Sequence, residues 1–181
     1  MSSANRRQRF EDVADEVFQP IQRYLRRRAN HADAEDALSD VMLTIWRRLD
    51  EVPQDRALPW SYGVARKTLA NQRRSQGRRL RLVQWMESEP HKHVSPDPGE
   101  EGPDAELSAA LDALNDQDRE ILRLWAWEQL EPREIAPVLG LTVNAATLRL
   151  SRAKKRLSAE LSRQDDDGSG HKWVEGTQES R

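Results

Sequence analysis

A chain of 181 residues in which 36% are hydrophobic and 33% charged has too little apolar material for one thick core and fits two compact helical units. The absence of cysteine excludes disulfides, thiolate metal sites and a cysteine nucleophile, and an intracellular, cytoplasmic chain is the simplest expectation. The net charge of −2 hides a block pattern: 17 basic against 11 acidic side chains over residues 1–84, 1 against 10 over 85–118, 9 against 5 over 119–163, and 2 against 5 over 164–181. Two basic units facing polyanions, joined by an acidic tether and followed by an acidic tail, are expected from this alternation. The first residues are polar and charged, and no apolar run approaches the roughly 20 residues of a membrane span, so neither a signal peptide nor a membrane segment is expected.

The periodic segments repeat near 3.6 and no apolar/polar alternation is sustained, which predicts an all-α fold. Phe10 to Arg28 reads as a helix with Val13, Val17, Ile21 and Leu25 on one face, and Pro20 is expected to kink or split it. The segment from Asp33 to Leu49 carries a core stripe of Leu38, Val41, Met42, Ile45, Trp46 and Leu49. Its acidic start and basic end suit the helix dipole. Opposite that stripe lie Asp36, Asp40, Leu43 and Arg47, a mixed acidic and apolar surface with no internal use.

A loop over Glu51 to Pro59 leads to a third helix, Trp60 to Arg79, that buries Val64 and Leu69. No acid occurs between Arg56 and Met86, so Arg66, Lys67, Arg73, Arg74, Arg78, Arg79 and Arg81 form an unbalanced basic stretch. Trp60 and Tyr62 add stacking surface, and Asn71 and Gln72 add base-edge hydrogen bonding. Such a mixture suits a strand that is unpaired as well as gripped.

Residues 87–105 contain Pro90, Pro96, Pro98 and Pro103 among acids, the composition of a flexible linker. His91 and His93 fall there without a third ligand, so no metal and no cofactor is expected. Helices are predicted again over Glu106 to Leu114, Asp116 to Trp127, Pro132 to Leu139 and Val143 to about Leu161, with a disordered tail from Gln164 that includes Trp173. Pro132 at a first turn, Gly140 at a sharp exit and Thr142 as a cap frame a helix-turn-helix. On its second helix Val143, Ala146, Leu150, Ala153 and Leu157 line the inner face. Asn144, Leu148, Ser151, Arg152 and Lys155 line the other, where they can meet phosphates and base edges.

These residues together resemble the bacterial RNA polymerase sigma factors of the extracytoplasmic function group. Asp33-Ala34-Glu35-Asp36-Ala37 through Trp46-Arg47-Arg48 is similar to the family's core-polymerase-binding helix. Pro59-Trp60-Ser61-Tyr62, Ala65-Arg66-Lys67 and Asn71 to Arg74 are similar to its minus 10 recognition helix. Asp118-Arg119-Glu120, Leu124 to Leu130, Glu134-Ile135-Ala136, Leu139-Gly140 and Arg149 to Ala153 are similar to its minus 35 helix-turn-helix. Ser39, Ala146 and Pro137 depart from the family pattern.

The resemblance implies two small helical domains, over residues 6–84 and 106–163, joined by the acidic linker of 85–105 and followed by the tail of 164–181. It implies a non-catalytic promoter-recognition factor whose partners are core RNA polymerase and promoter DNA, with an anti-sigma factor as a family expectation and no membrane. Polymerase binding falls to Asp36, Asp40, Leu43 and Arg47. Minus 10 recognition falls to Trp60, Arg66, Lys67, Asn71, Arg73 and Arg74, and minus 35 recognition to Asn144, Leu148, Ser151, Arg152 and Lys155. The rival readings are a stand-alone helix-turn-helix regulator, for which no dimerisation helix is left over, and an interaction protein with an acidic partner. An enzyme is the least supported, since the Asp33/Asp36 pair serves as a helix start and no nucleophile or phosphate-loop spacing is visible.

Overall fold

The computed structural model describes residues 3–86 and 103–169, and all their regular structure is helical. The first unit consists of α1 (Ser3–Arg26), α2 (His31–Arg47), a 3-10 turn (Leu49–Glu51) and α3 (Ala57–Met86). The second consists of α4 (Pro103–Ala113), α5 (Asp116–Ala126), α6 (Pro132–Leu139) and α7 (Val143–Ser169). The linker with His91 and His93, and the last residues with Trp173, lie outside the described residues.

Local chemistry sets the helix starts and stops. Asn30 caps α2 and Asn115 caps α5, each side-chain oxygen accepting the amide three residues on, from Asp33 at 2.9 Å and Asp118 at 3.0 Å. At α6, Pro132 occupies the first turn and the Glu134 carboxylate reaches back to the Glu131 amide at 2.9 Å. Gly140 ends α6 at φ 67, and the amide of Leu141 closes on the carbonyl of Ala136 at 2.8 Å.

Several boundaries differ from the sequence reading. α1 begins at Ser3 and passes Pro20 as one helix, rather than splitting. The proline removes only the bond to the Glu16 carbonyl, and Glu16 is exposed to solvent. α6 likewise runs through Pro137, whose lost acceptor belongs to the exposed Arg133. α3 is longer than Trp60 to Arg79 at both ends, and α4 starts at Pro103 rather than Glu106. The tail expected to be disordered from Gln164 is helical as far as Ser169.

In the first unit Val17, Ile21, Tyr24 and Leu25 of α1 meet Leu38, Val41 and Ile45 of α2 and Ala65 and Leu69 of α3. In the second, Ile121 and Leu124 of α5, Ile135 of α6 and Ala146, Leu150 and Ala153 of α7 share a core. Trp46, expected in the core stripe, instead lies at its edge, 38% exposed, with Phe10 edge-on at 5.2 Å. The two units are packed together, α3 against α6. At this contact a Cβ placed on Gly63 would lie 3.8 Å from the Val138 backbone, an ordinary van der Waals distance. Because Gly140 needs the left-handed region, Gly140→Ala is expected to destabilise the protein by about 1 kcal/mol, a fall of roughly 2–4 °C in a calorimetric melt.

Candidate nucleic-acid interface

On α7 the inner face is set by Ala146, Leu150 and Ala153, all buried, and the outer face carries Asn144, Leu148, Ser151, Arg152 and Lys155, all exposed as the spacing predicts. Leu148 is 58% exposed. Val143 departs from its expected inner position and is 49% exposed at the helix start, which widens the apolar tip beside Asn144. Thr142 caps this tip by accepting the Ala145 amide at 3.2 Å.

Three consecutive residues of α5 position the helix-turn-helix. Asp118, 4% exposed, pairs with Arg156 of α7. Arg119 donates to the carbonyls of Leu111, Asp112 and Leu114 at 2.8 to 3.0 Å and closes the end of α4. Glu120 points the other way, into the first unit.

On α3 the predicted residues divide between two faces. At 100° per residue Trp60, Lys67, Asn71 and Arg74 form one stripe, while Arg66 and Arg73 lie more than a quarter-turn away. Arg73 is used within the protein, donating to the Arg28 carbonyl at 2.8 Å. Tyr62, read as a stacking surface, is only 2% exposed and belongs to the core. Trp60 lines a cleft of about 410 Å³ with Arg48, Arg56, Lys67, Asn71 and Pro137. The Arg48 guanidinium lies 5.6 Å from the Trp60 ring centre. The sequence places Arg48 with the polymerase-binding helix, and Arg56 at the end of the loop that the resemblance gives to the minus 10 strand; neither stands among the named minus 10 residues.

Asp36, Asp40, Leu43 and Arg47 are all exposed on α2, Leu43 at 44%, and the three charged side chains enter no salt bridge among the described residues. Asp40, Leu43, Arg47 and Asn71 line one small cleft, so the stripe on α2 and the stripe on α3 adjoin. An ordered pair of surfaces results: one mixed in charge and apolar, the other basic with an aromatic at one end.

The strongest buried electrostatics lie between the units. Arg28, 7% exposed, donates to Glu120 at 3.1 Å, to Glu128 at 3.1 Å and to the Tyr24 carbonyl at 3.1 Å, and lies over the Tyr24 ring at 3.7 Å. Burial alone would pull its pKa down, but Glu120, Tyr24 and Glu128 outweigh this and hold it up. Tyr24 donates to Glu120 at 3.0 Å, Tyr62 to Glu128 at 3.4 Å and Arg27 to Glu128 at 2.7 Å. Burial, then the facing carboxylates, push both phenols far above their ordinary range. Arg123 beside the cluster is pulled down by burial and by Arg28.

Two family models match the chain. The family model described as Sigma-70 region 2 matches residues 10–79, and that described as Sigma-70, region 4 matches residues 104–157. The chain belongs to the sigma-70 family. Its relatives place it among the extracytoplasmic function sigma factors. A probable RNA polymerase sigma factor RfaY of Xanthomonas campestris pv. campestris is 31% identical over 72% of this chain, which spans about a third (34%) of that relative's length. RNA polymerase sigma factor NccH of Alcaligenes xylosoxydans xylosoxydans is 29% identical over 72% of this chain and 74% of its own. The sigma factor RpoE of Bartonella quintana, solved in complex with the anti-sigma factor NepR, shares the fold with a TM-score of 0.63 at 21% identity, covering 84% of this chain and 96% of that one. Region 2 is therefore the α1–α3 unit and region 4 the α4–α7 unit. Among the described residues no helix is long and apolar enough to cross a membrane.

If the outer face of α7 meets DNA, Arg152→Ala with Lys155→Ala lowers the salt slope of binding by roughly 1 to 2 units for all sequences. Leu148→Ser instead changes base preference at one position, by about 1 to 3 kcal/mol, in a randomised minus 35 library.

Proposed function

We propose that the chain is an alternative sigma factor that binds core RNA polymerase through the Asp36, Asp40, Leu43 and Arg47 stripe and directs it to a subset of promoters. The observation that carries this is the adjacency of two unlike surfaces on region 2. A free acidic and apolar stripe on α2 adjoins the basic, aromatic-tipped stripe of α3, while region 4 presents a separate basic recognition helix. In this reading Trp60, Lys67, Asn71 and Arg74 hold the opened minus 10 strand, with Arg48 and Arg56 at the cleft. Arg66 and Arg73 contribute from the neighbouring face through their remaining donors. Asn144, Leu148 and Ser151 read minus 35 bases, and Arg152 and Lys155 anchor phosphates.

The domains are residues 6–84 and 106–163, each lengthened by its outer helices to Ser3, Met86, Pro103 and Ser169, so that the linker of 85–105 and the tail of 164–181 are shortened accordingly. The factor positions DNA and performs no covalent chemistry of its own, and it acts in the cytoplasm where polymerase and chromosome meet. Because RpoE of Bartonella quintana was solved with an anti-sigma factor, an anti-sigma partner is part of the reading. A stand-alone helix-turn-helix regulator is not favoured, since it leaves the region 2 match over residues 10–79 without a role.

Asp36→Lys with Asp40→Lys is expected to weaken core polymerase binding at least about tenfold, roughly 1.4 kcal/mol, with melting unchanged because both positions are exposed. Asn71→Ala with Arg74→Ala should leave polymerase binding intact but abolish permanganate reactivity around the start site, with partial recovery on premelted templates. Equal loss on duplex and premelted DNA would contradict the minus 10 role.

A further inference from the structure

We propose that the first turns of α1, ahead of the region 2 match that begins at Phe10, brace the loop at the strand-binding cleft, with Arg6 and Arg9 as positioning residues for minus 10 recognition. This rests on the proposed sigma-factor function and adds to it two residues that set the fit of the same cleft.

Helical spacing aims both arginines. Arg6, Phe10, Val13 and Val17 recur at intervals of 4, 3 and 4, and Arg9 neighbours Phe10 on the same stripe. Val17 is buried, and Phe10 and Val13 pack against the core, so the rotation of α1 about its axis is fixed. Toward the N-terminus the apolar stripe ends at Phe10, and the two guanidinium groups continue it onto backbone.

That backbone is the connection between α2 and α3. Arg6 donates through one nitrogen to the Trp46 carbonyl at 2.8 Å and through another to the Asp50 carboxylate at 3.2 Å, and its guanidinium lies 5.3 Å from the Trp46 ring centre. Arg9 donates to the Val52 carbonyl at 3.1 Å. Trp46 belongs to the last turn of α2, where carbonyls lack an amide partner within the helix, and Val52 follows the 3-10 turn. The connection is thus held at its start and at its middle.

The same connection forms part of the cleft. Arg48, Pro53 and Arg56 line it together with Trp60, Lys67 and Asn71, and neither Arg6 nor Arg9 does. Of residues 48–56 only Leu49 and Val52 are buried, so packing pins this stretch at two points and leaves Arg48, Pro53 and Arg56 dependent on how their backbone is held. A binding surface carried on a loop is only as exact as the side chains that support it. Arg6 and Arg9 fix the path of the loop without occupying the space a base would take.

Arginines beside a DNA site have a plainer use, attraction of phosphate, and Arg7 separates the two. It is exposed in the same turn and enters no hydrogen bond or ion pair among the described residues. Arg7→Glu changes the net charge by as much as Arg6→Ala with Arg9→Ala, and breaks no bond to the loop.

The test uses holoenzyme formed from core polymerase and the full-length chain, selecting from templates randomised at both the minus 10 and the minus 35 element. Arg6→Ala with Arg9→Ala is expected to lower discrimination at the minus 10 element at least about fivefold, with minus 35 preference and core affinity unchanged. Arg7→Glu is expected to match wild type in all three. In a double variant that melts as wild type does, an unchanged minus 10 profile overturns the bracing role. So does an equal minus 10 loss in Arg7→Glu, or a loss shared by minus 35 preference and core affinity. Failure of the wild-type chain to enrich any template with core polymerase overturns the parent function and the brace together. A double variant that melts lower is replaced by Arg9→Gln, which gives up only the bond to the Val52 carbonyl. Its minus 10 discrimination should fall at least about twofold, and an unchanged profile overturns the brace.

Discussion

A buried guanidinium has to be given carboxylates, and those that Arg28 receives lie 92 and 100 positions further along the chain. This constraint joins the end of α1 to α5 and to the turn after it. Once Glu120 and Glu128 are drawn to Arg28, α5 is fixed over α1, Tyr24 and Tyr62 complete the cluster, and α6 is set against Gly63 of α3. Neighbouring residues of α5 then transmit the position onward. Asp118 holds α7 through Arg156, and Arg119 closes α4, so the orientation of the recognition helix follows from the same short stretch that contacts region 2.

The residues of the proposed interfaces on α2 and α7 are left exposed by this packing. α2 turns an unpaired acidic and apolar stripe outward, and α7 turns out Leu148 at 58% exposure among Asn, Ser, Arg and Lys side chains. In the proposed function the exposed leucine and aspartates gain partners at an interface with protein or DNA. The basic stripe of α3 differs in being half enclosed, with α6 forming part of its cleft.

Much of this was legible in the sequence because helical periodicity and cap chemistry are local. The spacing of Ala146, Leu150 and Ala153 oriented α7, and Gly140 with Thr142 fixed its start. What was not legible depended on distant partners. Arg28 sits in a run of three arginines at a helix end, where solvation is the ordinary fate, and nothing within a few residues marks it as buried. Tyr62 and Trp60 are two positions apart and looked like one stacking surface, but two residues on a helix are 200° apart, so one entered the core and the other the cleft. Pro20 and Pro137 carried a true local penalty that was met by exposed carbonyls, so neither interrupted its helix.

The most direct measurement is the separation of the two regions in the free chain. Dyes attached through Gln19→Cys on α1 and Ser158→Cys on α7, both exposed positions, report that distance by single-molecule energy transfer. The account predicts a single high-transfer population, joined by a low-transfer population when Glu120→Gln with Glu128→Gln removes the carboxylates from Arg28. A low-transfer wild-type chain, or the same single population in the double variant, would contradict it.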